Sequence, residues 1–407
     1  MIRIGIDARF LLSKLRGIPL YVARICELLP SLNYNYQFYY FINRAFEHND
    51  NYTSYQPLLN KLSNSYSNVN IINCNHEAQI KWEQIYIPLL IKKYNINLLH
   101  MPGNRICFSA KIPVITTIHD IIEYTSLNQQ YIRNTITKSS GLKMMIYNMR
   151  VAAYIWSIYK LANNKTARII TVSRHSSNDI VNLLGVPPNK VSVIYHGIDH
   201  EFIIDDEDIN TIITRKMYST TPKYVLMLGG DSPHKNVEGA ISAWAKVPEE
   251  IRRQYPLKVI GFCGNAESPL IRTLHKYKLE NEVEVKGWVR QDELIEYFRN
   301  ATLFLYLSHY EGFGFPVLHA MASGTPVISS NTSSLPEVLG EVGLRFDPND
   351  HIGIANGIET LLSNANLRAN QCIAGINRAR DFSWERSAKE HLKVYESVLE
   401  NQHGTFI

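Results

Sequence analysis

What this 407-residue chain lacks narrows the field before any motif is read. Cysteine is scarce and scattered: Cys26, Cys74, Cys107, Cys263 and Cys372, with no Cys-x-x-Cys spacing. An odd, dispersed set argues against a disulfide framework and a structural zinc site, and makes a reducing cytoplasm the expected compartment. No uncharged apolar run of roughly 18 residues occurs, so no spanning helix is expected. The opening Met1-Ile2-Arg3-Ile4-Gly5-Ile6-Asp7 reads as a core strand, too short and too interrupted for a signal peptide. The turn after it, residues 7–18, lacks the G-x-G-x-x-G fingerprint, which argues against a nicotinamide-dependent oxidoreductase. No internal repeat and no low-complexity tail are present.

Acidic residues are also missing over one long stretch. None falls between Glu123 and Asp179, where Arg133, Lys138, Lys143, Arg150, Lys160, Lys165, Arg168 and Arg174 all occur. Residues 1–190 carry 21 Lys/Arg against 9 Asp/Glu, and residues 191–407 carry 21 against 28, so the net +5 hides halves of +12 and −7. The basic window also holds Met144, Met145, Ile146, Tyr147, Tyr154, Ile155 and Trp156. Such a segment is either a core helix with a basic outer face or one that lies on anionic lipid. Nucleic acid is not the expected partner.

What is present describes an ordinary globular protein: 45% hydrophobic and 19% charged, enough for one large or two medium domains. Strand-like runs at residues 2–6, 37–42, 96–100, 114–119, 169–172 and 191–195 alternate with helical patterns such as 21–29. A second series follows at 224–228, 258–262, 283–285, 303–307 and 327–329, and a helix is expected over 385–399. Alternating β and α elements predict parallel, doubly wound sheets. The polar stretch 196–214, with Asp205-Asp206-Glu207-Asp208, reads as the linker between domains. The Asn-rich segments 33–35 and 49–55 read as surface loops.

The most informative segment is residues 311–328, Glu-Gly-Phe-Gly-Phe-Pro-Val-Leu-His-Ala-Met-Ala-Ser-Gly-Thr-Pro-Val-Ile. It reads as a glycine-rich loop with one carboxylate, a short helix and a buried strand. Pro316 suits the first helical position and Gly324 the residue past the end. A helix N-terminus behind glycines favours a diphosphate or hydroxyl-rich ligand. In open parallel sheets ligands sit outside the carboxyl ends of the strands. The residues after the strands are Ser13 to Ile18, His119-Asp120, Ser173, Gly229-Gly230 through Lys235-Asn236, and Glu311.

In this order, these segments resemble the GT4-like glycosyltransferases of the GT-B type that build bacterial surface glycans. The likeness runs through Gly5-Ile6-Asp7-Ala8-Arg9, Arg16-Gly17-Ile18, Thr116-Thr117-Ile118-His119-Asp120, Thr171-Val172-Ser173 and His196-Gly197-Ile198-Asp199. It continues through Lys235-Asn236, residues 311–322, Ser334-Leu335-Pro336-Glu337 and Phe382-Ser383-Trp384-Glu385. The resemblance implies two Rossmann-like domains facing across a cleft. Residues 1–198 would form the acceptor domain, with helix 385–407 packing back on it, and residues 199–384 the donor domain. It implies a metal-independent, retaining hexosyltransferase without cofactor. The sugar would move from a nucleoside diphosphate (dTDP-rhamnose, GDP-mannose or a UDP-sugar) to a hydroxyl of a glycan or lipid-linked acceptor, at the inner face of the membrane.

The site residues carried over are Glu311, Lys235, His119 and Asp120 as catalytic. Gly17, Gly229, Gly230, Gly312, Phe313, Gly314, Phe315, Leu318 and His319 would contact the donor. Lys235 would meet the charge that builds on the leaving diphosphate. Glu311 would accept hydrogen bonds from donor-sugar hydroxyls. Two positions depart from the family pattern. Gly230 stands where relatives carry an Arg, and His319 stands where they carry a second Glu that holds the ribose. A neutral imidazole has one acceptor nitrogen, which suits the single hydroxyl of a deoxyribose and hence a dTDP-sugar, or holds an ordinary ribose by one bond. A sugar-nucleotide binder impaired in catalysis and a sugar-nucleotide epimerase remain alternative readings.

Overall fold

The computed structural model describes residues 1–13, 16–46, 56–76, 78–125, 142–204, 211, 214, 223–230, 232–262, 264 and 268–403. The chain divides into two compact units, Met1–Gly197 with Trp384–Ile407, and Ile198–Ser383.

The upstream unit holds seven strands: β1 (Ile2–Asp7), β2 (Tyr36–Asn43), β3 (Val69–Cys74), β4 (Leu98–Met101), β5 (Val114–Thr117), β6 (Arg168–Thr171) and β7 (Val191–Val193). Their order is β3-β2-β1-β4-β5-β6-β7, and every pair is parallel. The downstream unit holds β8 (Val225–Leu228), β9 (Leu257–Ile260), β10 (Val283–Lys286), β11 (Leu303–Tyr306), β12 (Val327–Ser330) and β13 (Leu344–Phe346). Their order is β10-β9-β8-β11-β12-β13, again parallel throughout. Central strands such as Leu303–Tyr306 and Val327–Ser330 are buried at every position, as expected when helices cover both faces of a parallel sheet.

Strand order reverses between β1 and β4 in one unit and between β8 and β11 in the other. These are the topological switch points of doubly wound sheets, where the loops leaving adjacent strands diverge and open a crevice. The loops that carry Lys235 and Glu311 follow β8 and β11.

Two expectations need correction. β3 and β13 lie at sheet edges and went unread in the sequence. β3 mixes Asn with aliphatics and is only partly buried, and β13 is three residues long. The division between the units, at Gly197 and Ile198, falls inside the expected linker, but the first part of that stretch is packed core: Ile198, Phe202 and Ile204 are buried, as are His196 and Asp199. Its acidic run 205–208 lies outside the described residues, as do the loop 49–55, Arg133 and Lys138.

The terminal helix Trp384–His403 belongs to the upstream unit and is tied there by a buried relay. Its polarity follows from one carbonyl. Ser387 O can only accept, so His391 Nδ1–H donates to it at 2.7 Å, and Nε2 must accept from the Tyr21 hydroxyl, also at 2.7 Å. Tyr21 in turn accepts from Thr117 Oγ1 at 2.8 Å. Thr117 accepts from His100 Nε2–H at 2.8 Å, and His100 Nδ1 accepts from Tyr395 at 2.7 Å. His391, Tyr395, Tyr21, Thr117 and His100 are all buried, so each bond is one that water cannot replace. Gly197 passes so close to the start of this helix that a Cβ there would sit 2.1 Å from the Trp384 backbone nitrogen.

The relay works only with neutral imidazoles. Burial pushes His391 and His119 down from 6.5 to about 4, and pushes His100 and His196 well below 6.5, with the neighbouring histidines adding repulsion. A base whose folded pKa is depressed contributes full stability above its unfolded pKa and loses it as pH falls toward the folded one. Thermal stability should therefore fall as pH drops from about 6.5 to about 4. His391→Phe should lower Tm at neutral pH and flatten that decline. A scanning-fluorimetry pH series in which both proteins decline in parallel would refute this account.

Candidate active site

In the downstream unit, β8 ends at Leu228, and Gly229-Gly230 begin the loop to the turn Pro233–Lys235. Asn236 closes that turn in the left-handed region at φ 51° and caps the helix Val237–Trp244 by accepting from the Gly239 N–H at 3.2 Å. Its amide also donates to Leu307 O at 3.0 Å and Pro348 O at 3.1 Å. The His309 N–H adds a bond to His234 O at 2.8 Å. Asn236 and His309 thus lock the Lys235 loop to the loop that leaves β11.

That second loop is held from the other side. The Glu311 N–H donates to Ser333 Oγ at 3.0 Å, and the Ser334 hydroxyl shares its one proton between Glu311 O at 2.9 Å and Phe313 O at 2.7 Å. Gly314, at φ 111°, starts the helix Phe315–Ala322, with Pro316 second in it, and Gly324 follows its end at φ 62°. A side chain at Gly314 would be strained by that φ and would meet Leu335 Cδ2 at 2.7 Å.

The two loops bring Lys235 Nζ and Glu311 Oε1 to 2.7 Å. The Tyr306 hydroxyl stands 2.7 Å from each. Burial alone would lower the Lys235 ammonium, but the Glu311 charge and the Tyr306 hydroxyl outweigh it and hold it above its ordinary value. Burial alone would raise Glu311, but Lys235, Tyr306 and Ser308 keep it below the usual carboxylate range. Both groups are therefore charged at neutral pH. His234 and His309 flank the pair, each pushed down first by burial, so both are neutral there.

The remaining carried-over positions fall as follows. Phe313 is buried against Phe315 and Phe382, with ring centroids at 5.4 and 5.8 Å. Leu318 is fully buried, and its N–H donates to Gly314 O. His319 is half-buried, its ring stacked on Phe202 at 3.9 Å and 3°. The Phe315 ring centroid lies 5.8 Å from it. At Gly230 a Cβ would meet Lys235 Cγ at an ordinary 3.6 Å.

In the upstream unit, Gly17 is exposed, at φ 54°, and starts the helix Ile18–Leu32. His119 follows β5 and is buried. Its N–H donates to Asn104 Oδ1 at 2.7 Å, and its Nε2 lies 2.8 Å from Pro102 O. Since that carbonyl only accepts, Nε2 carries the proton and Nδ1 is left as the acceptor. Asp120 Oδ1 accepts from the Ile122 N–H at 3.0 Å, which shapes the turn.

Sequence reasoning missed Tyr306, Ser333 and Phe202. Tyr306 had a signal: it is the one polar side chain in Leu-Phe-Leu-Tyr, at the carboxyl end of a core strand. Ser333 carried none, because its role depends on a left-handed φ of 53°.

Replacing Lys235 by Met should strand Glu311, at a cost near ~3 kcal/mol around pH 7. Without its cation the partly buried carboxylate should have a raised pKa, so the deficit should shrink near pH 5 as Glu311 takes up a proton. Urea titrations at the two pH values check this. An equal deficit at both would mean that the pair does not govern Glu311.

Two family models match the chain: Glycosyltransferase Family 4 over residues 16–202, and Glycosyl transferases group 1 over residues 208–378. The O-antigen chain mannosyltransferase B of Escherichia coli is 32% identical over 228 residues, 56% of this chain and 60% of that protein. The serotype-specific mannosyltransferase WbdA of Escherichia coli is 27% identical over 251 residues, 60% of this chain and 31% of that protein. The matched part thus spans less than two thirds of either relative. Among solved structures, sucrose-phosphate synthase from Thermosynechococcus elongatus superposes with a TM-score of 0.67 at 16% identity, covering 98% of this chain and all (100%) of that one. Anabaena HepE in complex with UDP and glucose gives 0.67 at 18%, with coverage of 98% and 100%. These likenesses establish the GT-B fold. With one family model on each unit and that fold throughout, the chain belongs to the GT4-like glycosyltransferases.

Proposed function

We propose that the protein transfers a mannosyl residue, with retention and without a metal, from a nucleoside diphosphate to a hydroxyl of a growing surface polysaccharide. The observation that carries this is the Lys235–Glu311 pair at the β8/β11 switch point. Lys235 supplies positive charge where a diphosphate leaves, and Glu311 supplies an ionised acceptor for sugar hydroxyls beside a helix N-terminus. The choice of mannose rests on the names of the Escherichia coli relatives. His119, with Nδ1 as acceptor, is assigned to the sugar or the acceptor hydroxyl. The departing phosphate oxygen takes the acceptor proton in a same-face substitution.

His319 is assigned to the ribose. Stacked on Phe202, it offers one acceptor nitrogen at most, so the nucleotide is held by fewer bonds than a carboxylate would give. This favours a search over several bases, and dTDP-rhamnose stays as the second donor reading.

The acceptor is assigned to an anionic, lipid-bearing surface. Helix Leu142–Lys165 exposes Ile146, Met149, Arg150, Ala153, Trp156 and Lys160, which follow one face at helical spacing. The segment 79–94 beside it, joined through Gln84 and Tyr154, exposes Ile85, Leu89, Lys92 and Lys93. The sole acidic residue in these two segments is Glu83, which is fully buried. Apolar side chains with basic neighbours and no exposed carboxylate match anionic lipid. No described helix is long and apolar enough to cross a membrane.

Glu311→Ala and Lys235→Ala should each lower mannosyl transfer by orders of magnitude, on the order of 10²-fold or more, while the protein stays folded. A thermal-shift screen should give the largest rise with GDP. A larger rise with dTDP would instead support the rhamnosyl reading, and full activity in both variants would remove the site.

Flotation with vesicles containing an anionic phospholipid should capture the protein. Trp156→Glu combined with Arg150→Glu should abolish capture without changing Tm. Absence of binding to such vesicles by the parent protein would end the membrane assignment.

A further inference from the structure

We infer that Tyr306 is a positioning residue for the transfer, aiming the Lys235 ammonium and donating to the Glu311 carboxylate. The inference rests on the reading that Lys235 and Glu311 hold the donor. It starts from a closed triangle of three polar atoms, with all three sides at 2.7 Å. Lys235 is an obligate donor and Glu311, ionised, an obligate acceptor. The Tyr306 hydroxyl must therefore accept from Nζ and donate to Oε1.

The geometry fixes more than the pair could alone. A lysine ammonium is a point charge on a flexible four-carbon stem. One contact with Glu311 leaves it free to swing. A second contact with Tyr306, together with the approach of Nζ to 5.3 Å from the Tyr306 ring centroid, restricts it to one orientation. Two of its three N–H bonds are then directed, which sets the direction of the third. That third N–H is the one available to a phosphate oxygen.

Tyr306 is itself well fixed. It is the last residue of β11, paired in register with Ser329 of β12, and 3% exposed. Its ring stacks with Phe304 at 5.6 Å and 18°. Burial and the Glu311 charge hold its own phenol well above the ordinary value, so it remains a donor throughout the working pH range.

Tyr306→Phe removes the hydroxyl and keeps the ring. The ion pair survives, so a nucleoside diphosphate should bind within about threefold of the parent. The aim of the third N–H is lost, and kcat should fall about tenfold. Glu311 loses a donor to its charged form, so its pKa should rise and the acid limb of the rate profile should move to higher pH. Site-specific 3-fluorotyrosine at 306, a stronger donor of the same shape, should move that limb the opposite way.

The experiment measures kcat, KM and pH profiles for the parent, Tyr306→Phe, the 3-fluorotyrosine protein, Lys235→Ala and Glu311→Ala. The donor carries the nucleotide preferred in the thermal-shift screen. If the Lys235 and Glu311 variants are inactive while Tyr306→Phe matches the parent in kcat and pH profile, this inference alone is overturned. If the Lys235 and Glu311 variants are fully active, the site reading fails and takes this with it. Should Tyr306→Phe not fold, the fluorotyrosine protein decides: an unmoved acid limb overturns the inference.

Discussion

A partly buried ammonium against a partly buried carboxylate is the constraint around which the downstream unit is arranged. Desolvation disfavours the charged form of both Lys235 and Glu311, and each offsets that for the other. They come from loops 76 residues apart in sequence and meet only because β8 and β11 are neighbours in the sheet. The loops must also be held in place. Asn236, bonded to Leu307 and Pro348, holds one of them. Ser333 and Ser334 hold the other. The charge pair is thus the outcome of the strand order and of at least five hydrogen bonds that carry no net charge themselves.

This explains which parts were legible in the sequence. Strands buried on both faces announce themselves as apolar runs, and most of those expected agree with the structure to within about two residues. Residues 311–328 were legible because glycine, proline and a lone carboxylate each imply a backbone event at a defined place. Of the four edge strands, β7 and β10 were legible, whereas β3, which is half polar, and β13, a three-residue strand with a central arginine, were not. The burial of residues 198–204 was missed for a different reason. Ile198, Phe202 and Ile204 are spaced among acidic and histidine residues, and their burial depends on partners far away in sequence, such as Phe298 and His319 around Phe202. Tyr306 illustrates the same limit inside the site: a terminal strand tyrosine is ordinary until Lys235 arrives beside it.

The upstream unit reaches order by neutrality where the downstream one uses charge. Four histidines, His100, His119, His196 and His391, are buried close to Tyr21, and all are held neutral by desolvation. Directional bonds then decide the protons of His391, His100 and His119. One carbonyl, Ser387 O, sets the sense of the relay through Tyr21, Thr117 and His100 to Tyr395. A second, Pro102 O, sets His119.

The two carbonyls have different consequences. The first joins the terminal helix to the sheet, and reversing it would leave two donors or two acceptors face to face. The second leaves His119 with Nδ1 as its acceptor at the carboxyl end of β5, next to a turn shaped by Asp120. A histidine needed as a cation would be poorly served by this burial. One needed as a fixed hydrogen-bond acceptor is well served, because its tautomer is set before any ligand arrives. Neutral histidines order the polar core of one unit and a paired charge orders the loops of the other, each through hydrogen bonds made within its own unit.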